Sequence, residues 1–85
     1  MGLASANVSA VSSDQALALA VKRLREKRGL SQEEVAFAGG TSTSTVSRIE
    51  RGQLRPSSTV IGRIAQGLGV SLVELAAATE AAAKS

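Results

Sequence analysis

The side chains best suited to making specific contacts lie close together, between residues 42 and 51. Its outward-facing candidates, Thr43, Ser44, Ser47 and Arg48, offer hydroxyl and guanidinium groups, and none of these four residues is acidic. If the segment is a helix, Val46 and Ile49 form its apolar inner side, which leaves the four polar side chains on the outer side. Such groups bond to base edges in the major groove of DNA when a second helix braces the first. The segment therefore predicts a base-reading helix.

The composition lacks most of the residue types that enzymes use for catalysis. The sequence has no Cys and no His, which removes thiol nucleophiles, thiolate metal sites and the commonest general base. Its seven carboxylates are spread over the chain, and the adjacent Glu33 and Glu34 are explained by helix capping. A Ser–Lys pair is formally available, but both residue types are common here. Because no nucleophile, base and orienting group can be assembled, we predict a protein that is not an enzyme and uses no cofactor or metal.

Charge and hydropathy narrow the class of protein further. The 85 residues carry a formal net charge of +3, which favours an anionic partner, although an ordinary, slightly basic domain has the same charge. Hydrophobic residues make up 44% of the chain, but Phe37 is the only aromatic one, so the core must use aliphatic side chains of small packed helices. No apolar run approaches the ~20 residues that span a bilayer, and no signal-peptide pattern occurs. We expect one cytoplasmic domain with no membrane partner.

The first predicted helix runs from about residue 14 to residue 28. Ser12 and Gln15 fit a capping box at its start. Its buried stripe consists of apolar residues spaced by three or four, namely Leu17, Ala20, Val21 and Leu24. Gly29 ends the helix. These features predict one amphipathic helix that packs on the rest of the domain.

Two shorter helices and a tight turn are predicted next. Ser31 and Glu34 form a capping box at the start of the second helix. The turn follows at residues 39–41, where Gly40 is the residue expected to take a positive φ. Ser42 caps the third helix, which ends near residue 51. Together these elements brace the base-reading helix against its neighbour.

Two more helices complete the predicted domain. Pro56 cannot continue the third helix, and either Ser57 or Ser58 caps a fourth, which ends near residue 67. Ser71 caps a fifth helix that continues into an alanine run. This run favours helix but has little to bury, so we expect residues 79–85 to fray. Residues 1–12 carry no charge and no periodic pattern, and we expect a flexible arm there.

Residues 16–78 resemble the Cro/lambda-repressor family of helix-turn-helix domains, also called the xenobiotic-response-element family. The resemblance is carried by RLREKRGLSQEEVA (23–36), GTSTSTVSRIERG (40–52), Pro56 and LGVSL (68–72). It implies an all-α fold, a compact five-helix lambda-repressor-like DNA-binding domain with a helix-turn-helix. The expected organisation is then an arm over 1–12, a helix-turn-helix domain over 13–78 and a frayed tail over 79–85.

The resemblance also assigns roles to individual residues. It implies base-reading positions at Thr43, Ser44, Ser47 and Arg48, of which Arg48 alone is long enough for a bidentate contact with guanine. It implies contacts to DNA phosphates from Gln32, Ser42, Arg51 and Arg55, and Arg23 is a further candidate. It implies an internal salt bridge between Arg25 and Glu50, which joins the first helix to the third. A neutralised Glu50 would not repel DNA.

The sequence departs from the family pattern at several positions. Gly39 stands where a larger apolar residue is usual, and Gly62 and Gly67 cost the fourth helix ~1 kcal/mol each relative to Ala. Phe37 stands where a polar, exposed side chain is usual. We expect Phe37 either to fold back over the edge of the second helix or the arm, or to be an exposed anchor for a protein partner.

The function that these patterns predict is sequence-specific binding of double-stranded DNA by a transcriptional repressor. Members of such a class usually act as dimers on inverted half-sites, so we expect a homodimer on an operator and no small-molecule ligand. The expected self-association surface lies on the fifth helix, at Leu72, Val73, Leu75 and Ala76, although the two leucines could instead belong to the core. The alternative is a protein-interaction module or antitoxin-type subunit that keeps the fold but reads DNA weakly or not at all.

Overall fold

A computed structural model describes residues 13–84, which form five α-helices in chain order. The helices are α1 (Ser13–Lys27), α2 (Gln32–Gly39), α3 (Thr43–Glu50), α4 (Ser58–Leu68) and α5 (Leu72–Ala83). Within this range there is no strand, and the predicted all-α, five-helix class is confirmed. The expected arm over 1–12, with the cap at Ser12, lies outside the described residues.

A serine N-cap precedes each of the helices α2, α3, α4 and α5. Ser31, Ser42, Ser57 and Ser71 are the N-caps of α2 to α5, and each side chain accepts a hydrogen bond from the backbone N–H three residues further on. Each serine oxygen thereby satisfies an N–H that has no acceptor inside its own helix. The capping box of Ser31 and Glu34 is confirmed, and α5 begins with a second box, formed by Ser71 and Glu74. These serine caps therefore explain where α2 to α5 begin.

The core is aliphatic, as the composition predicts. The largest fully buried side chains are Val21, Val35, Val46, Ile49, Ile64, Leu68 and Leu75. Val21 lies on the expected stripe of α1, where Leu17 and Leu24 are partly buried against the core. α1 packs on α5 and α3, while α2 packs on α3 and α4. This arrangement buries one face of every helix and leaves the outer side of α3 facing solvent.

Two of the unusual glycines allow α2 and α4 to touch backbone to backbone. A Cβ on Gly39 would overlap the carbonyl oxygen of Arg63, and a Cβ on Gly67 would overlap the carbonyl oxygen of Val35. Both glycines are buried. Gly62, by contrast, has nothing within 4 Å of such a Cβ. Gly39 and Gly67 are thus required by close packing, whereas nothing in the structure explains Gly62.

The C-terminal part of α5 differs from the expected frayed tail. The helix continues to Ala83, and Ala82 is 0% exposed within the core cluster. Thr79 Oγ1 also donates to the carbonyl oxygen of Leu75 at 2.8 Å. A methyl group suffices for burial here because α5 lies directly on α1. The boundary expected at residue 78 therefore falls inside a packed helix.

No single helix of residues 13–84 is both long and apolar enough to cross a bilayer. α4 and α5 meet the length and composition requirement only together, and the pair is bent by 97° at the break between them.

Candidate nucleic-acid interface

The turn between α2 and α3 is held by its own backbone and by α4. Gly40 has φ +69°, as expected for a left-handed helix end, and the N–H of Thr41 donates to the carbonyl oxygen of Ala36 at 2.9 Å. Arg63 Nη1 donates to the carbonyl oxygen of Gly40 at 2.9 Å, and Gln66 Nε2 donates to that of Ala38 at 3.2 Å. Sequence reasoning missed these two side chains, because they lie more than twenty residues from the carbonyls they bind. They fix the angle at which α3 leaves α2.

The turn orients α3 with its apolar side inward and its polar side outward. Val46 is 0% exposed and Ile49 is 1% exposed, as predicted. Among the expected base-reading residues, Thr43, Ser44 and Arg48 are exposed, and Ser47 is half-buried. The outer side of α3 is therefore available to a large partner.

The start of α3 is made rigid by two hydroxyl groups. Ser42 Oγ accepts from the N–H of Thr45 at 3.1 Å and lies 2.9 Å from Thr45 Oγ1. In the second contact either hydroxyl can be the donor. When Thr45 donates, the Ser42 hydroxyl hydrogen remains available to an outside acceptor.

The predicted salt bridge between Arg25 and Glu50 is present. Arg25 Nε donates to Glu50 Oε2 at 2.6 Å, and Nη2 donates to Oε1 at 3.0 Å. The side chains are only 15% and 4% exposed, respectively. The hydrogen bond to Glu50 raises the pKa of Arg25 above its ordinary value, against the lowering effect of burial. Because Glu50 is the only acidic residue of α3, its burial leaves no carboxylate on the outer side of this helix.

Two further bonds extend this pair into a network. Arg25 Nη1 donates to the carbonyl oxygen of Leu30 at 2.8 Å, so the guanidinium also holds the segment before α2. Gln32 Nε2 donates to Glu50 Oε1 at 3.0 Å. The network connects α1, the start of α2 and the end of α3. The bond between Gln32 and Glu50 was not predicted, since no local pattern links residues eighteen positions apart.

Three arginines make up the rest of the expected phosphate-contacting residues. Arg51 is the exposed C-cap residue of α3, and Arg23 is exposed on α1. Arg55 is 82% exposed and lies 3.4 Å from the Asp14 carboxylate at the start of α1. Ion pairs that are this long and exposed contribute about 0–1 kcal/mol, so Asp14 holds Arg55 only weakly.

Phe37 on α2 and part of α5 present exposed apolar surface. Phe37 is 89% exposed, so the expectation that it folds back over the edge of α2 is wrong, while the expected contact with the arm lies outside the described residues. On α5, Leu75 is 2% exposed and belongs to the core, whereas Leu72 and Val73 are 56% and 78% exposed. Leu72 and Val73 line an apolar groove between α5 and the start of α1. The sequence left open whether Leu72 and Leu75 belong to the core or to a self-association surface. The structure places Leu75 in the core and leaves Leu72 exposed.

Comparison with known proteins identifies the family. A family model described as helix-turn-helix matches residues 21–75. The chain is 45% identical over 58 residues to an uncharacterized HTH-type transcriptional regulator, y4dJ, of Sinorhizobium fredii, and this match spans 68% of the chain and 75% of the relative.

Solved structures share the fold. The controller protein C.AhdI of a restriction-modification system from Aeromonas hydrophila has a TM-score of 0.69 and 35% identity, over 73% of this chain and 94% of that one. The clp gene regulator ClgR from Corynebacterium glutamicum has a TM-score of 0.77 and 25% identity, over 85% and 77% of the two chains. Family match, relatives and fold agree with the predicted resemblance, and the chain belongs to the Cro/C1-type helix-turn-helix family of transcriptional regulators.

Proposed function

We propose that this chain is a sequence-specific regulator that inserts α3 into the major groove of double-stranded DNA. The observation that carries the proposal is the outer side of α3, which is polar, exposed and free of carboxylates because Glu50 is buried against Arg25. A DNA surface repels exposed carboxylates and attracts groups that donate hydrogen bonds. The brace that supports α3 therefore also removes its only repulsive charge.

Base discrimination in this proposal depends mainly on Arg48. Its guanidinium can bond to O6 and N7 of one guanine, which is worth about 1–3 kcal/mol of discrimination. Thr43, Ser44 and Ser47 carry short hydroxyl side chains, which tolerate several bases and allow a close approach to the groove. Ser47 is half-buried, so less of its side chain is available to a base than is the case for Thr43 and Ser44. Specificity is accordingly moderate.

Phosphate contacts supply much of the affinity. The proposed groups are the side chains at Gln32, Ser42, Arg51, Arg55 and Arg23. Gln32 and Ser42 stand at the starts of α2 and α3, where first-turn N–H groups and the helix dipole favour an anion. Arg55 joins them by exchanging its weak contact with Asp14 for a phosphate. Neutralising several phosphates releases counterions, so log K falls linearly with log salt concentration.

Self-association completes the proposed DNA-binding unit. Leu72, Val73 and Ala76 expose apolar surface on α5, which a second copy can cover across a two-fold axis. Two copies of α3 would then meet two inverted half-sites about one DNA turn apart. We further propose that the dimer represses transcription, since an occupied operator excludes other proteins from the same DNA. ClgR and C.AhdI are themselves named as a gene regulator and a controller protein.

A binding selection tests the proposal directly. The 85-residue chain is incubated with random duplex DNA, bound DNA molecules are amplified through several rounds, and the enriched sequences are read. We expect inverted repeats with a guanine at a fixed position of each half-site. Titration of one enriched duplex at several salt concentrations should give a steep negative slope of log K.

The selection also tests the alternative function, a protein-interaction module with this fold. The 89% exposed Phe37 is the observation that favours it. Enrichment of no sequence, together with no binding of random duplex at low salt, would reject the DNA-binding proposal in favour of this module. For repression, a reporter gene placed behind an enriched site should be expressed less when the protein is present.

A further inference from the structure

The buried carboxylate of Glu50 has more partners than charge neutralisation needs. Arg25 alone compensates its charge, through bonds of 2.6 Å to Oε2 and 3.0 Å to Oε1. Oε1 also accepts a hydrogen bond from Gln32 Nε2 at 3.0 Å. Gln32 carries no charge and lies at the first position of α2, beside the proposed DNA surface. The third bond thus links the brace of the fold to a residue that is proposed to bind DNA.

This bond determines which way the Gln32 amide points. A carboxylate only accepts hydrogen bonds, so the NH₂ group of Gln32, and not its carbonyl oxygen, must face Glu50. Nε2 carries two hydrogens, and the bond to Glu50 uses one of them. The second hydrogen remains to be donated next to the first-turn N–H groups of α2, which have no acceptor within their own helix. An amide held in this way has little side-chain freedom left to lose on binding.

We infer that Glu50 is a positioning residue for DNA binding, and that its carboxylate holds the Gln32 amide ready to donate to a DNA phosphate. This inference rests on the proposed function and adds a role for Glu50 beyond joining α1 to α3. The phosphate is then bound by the second Nε2 hydrogen of Gln32 together with the first-turn N–H groups of Gln32 and Glu33, since the N–H of Glu34 already donates to Ser31 Oγ. Glu50 does not touch the DNA itself.

A double-mutant cycle separates this role from a purely structural one. The background variant Arg25→Met/Glu50→Met replaces the buried pair by apolar side chains of similar length, a change that is often neutral or stabilising. Gln32→Ala is introduced into the wild type and into this background, and affinity for one enriched duplex is measured by fluorescence anisotropy at constant salt. Circular dichroism establishes that all four proteins are folded at the temperature used. Gln53→Ala is the matched control, because it removes an exposed glutamine amide that lies outside the network of Arg25 and Glu50.

The two roles predict different results. If Glu50 positions Gln32, Gln32→Ala weakens binding about tenfold in the wild type, the fold-change for one hydrogen bond to a charged group. In the background without the carboxylate the same substitution then weakens binding less than about twofold. An equal loss in both backgrounds, or no loss in the wild type, overturns the inference while leaving the proposed function intact. Failure of the wild type to bind any duplex instead overturns both.

A second measurement needs no variant and no DNA. In the free wild-type protein, we expect the bonded side-chain NH₂ of Gln32 to exchange hydrogen with solvent several-fold more slowly than that of Gln53, which is exposed. Nuclear magnetic resonance of the ¹⁵N-labelled protein reports both rates in one experiment. Equal exchange rates would mean that Glu50 does not hold the amide, and would overturn the inference even if the Met/Met background did not fold.

Discussion

α3 and α5 each expose one side to solvent, but the two exposed sides have opposite chemistry. The exposed side of α3 carries Thr43, Ser44 and Arg48, whereas that of α5 carries Leu72 and Val73. α3 is held by a buried ion pair between its own Glu50 and Arg25 of α1. α5 is held by apolar side chains that are buried as far along the helix as Ala82. The difference indicates that the two surfaces are suited to different partners, a polyanion for α3 and an apolar surface for α5.

Removing the ion pair that holds α3 should have the largest effect on the stability of the fold. Glu50→Gln leaves the buried guanidinium of Arg25 without a charged partner, so we expect the free energy of unfolding to fall by about 3 kcal/mol. Thermal unfolding followed by circular dichroism measures the change as a lower melting temperature. Glu33→Gln is the control, because Glu33 is exposed on α2 and its loss should change little. Unchanged stability combined with altered DNA preference would show that Glu50 contacts DNA and does not brace the fold.

The close approach of α2 and α4 supports α3 indirectly, because α2 packs on both α3 and α4. Gly67→Ala should lower the free energy of unfolding by about 2–3 kcal/mol, because its Cβ overlaps the carbonyl oxygen of Val35. Gly62→Ala on the same helix meets nothing within 4 Å and should raise that free energy by up to about 1 kcal/mol. Chemical denaturation of both variants measures the contrast. If both substitutions stabilised the protein, the backbone contact between α2 and α4 would be looser than described.

One substitution on each surface tests whether the two have separate functions. Arg48→Ala should reduce the preference for an enriched site over random duplex by about 2 kcal/mol and change random binding less. Val73→Ser should weaken self-association, measured by sedimentation, without changing the preferred half-site. Each variant serves as the control for the other. Equal losses of Arg48→Ala on both duplexes would reject the base-reading role, and unaltered sedimentation of Val73→Ser would reject the α5 interface.

The smallest expected effect concerns the capping box of α5 and depends on pH. The hydrogen bond from the Ser71 N–H lowers the pKa of Glu74 below its ordinary value of 4.5. A lowered folded-state pKa contributes stability that is present above the unfolded pKa and is lost as pH falls through the folded one. The stability difference between wild type and Glu74→Gln should therefore be larger at pH 7 than at pH 3. Urea denaturation at the two pH values measures it, and an equal difference would argue against the bond between Ser71 and Glu74.

Local sequence patterns were sufficient for the elements and for much of the site. The starts of α2, α3 and α5 follow from Ser31, Ser42 and Ser71, since a serine hydroxyl caps a helix through bonds that span only three residues. For α4 the sequence left Ser57 and Ser58 open, and the structure has Ser57 as the cap. The inward side of α3 follows in the same way from the spacing of Val46 and Ile49. The pairing of Arg25 with Glu50 was implied by resemblance, and the structure gives it a geometry. Patterns that span only three or four residues could not predict the bond of Gln32 to Glu50 or that of Arg63 to Gly40.

What the sequence by itself determined is the family, the five helices and the polar character of α3, because capping and periodicity are properties of neighbouring residues. Tertiary structure alone decided that Gly39 and Gly67 are packing residues, that Ala82 is buried and that Phe37 is exposed. It also decided that Leu75 belongs to the core while Leu72 remains exposed. These outcomes depend on how closely two helices approach each other, a distance that is set by the whole core and by no single segment.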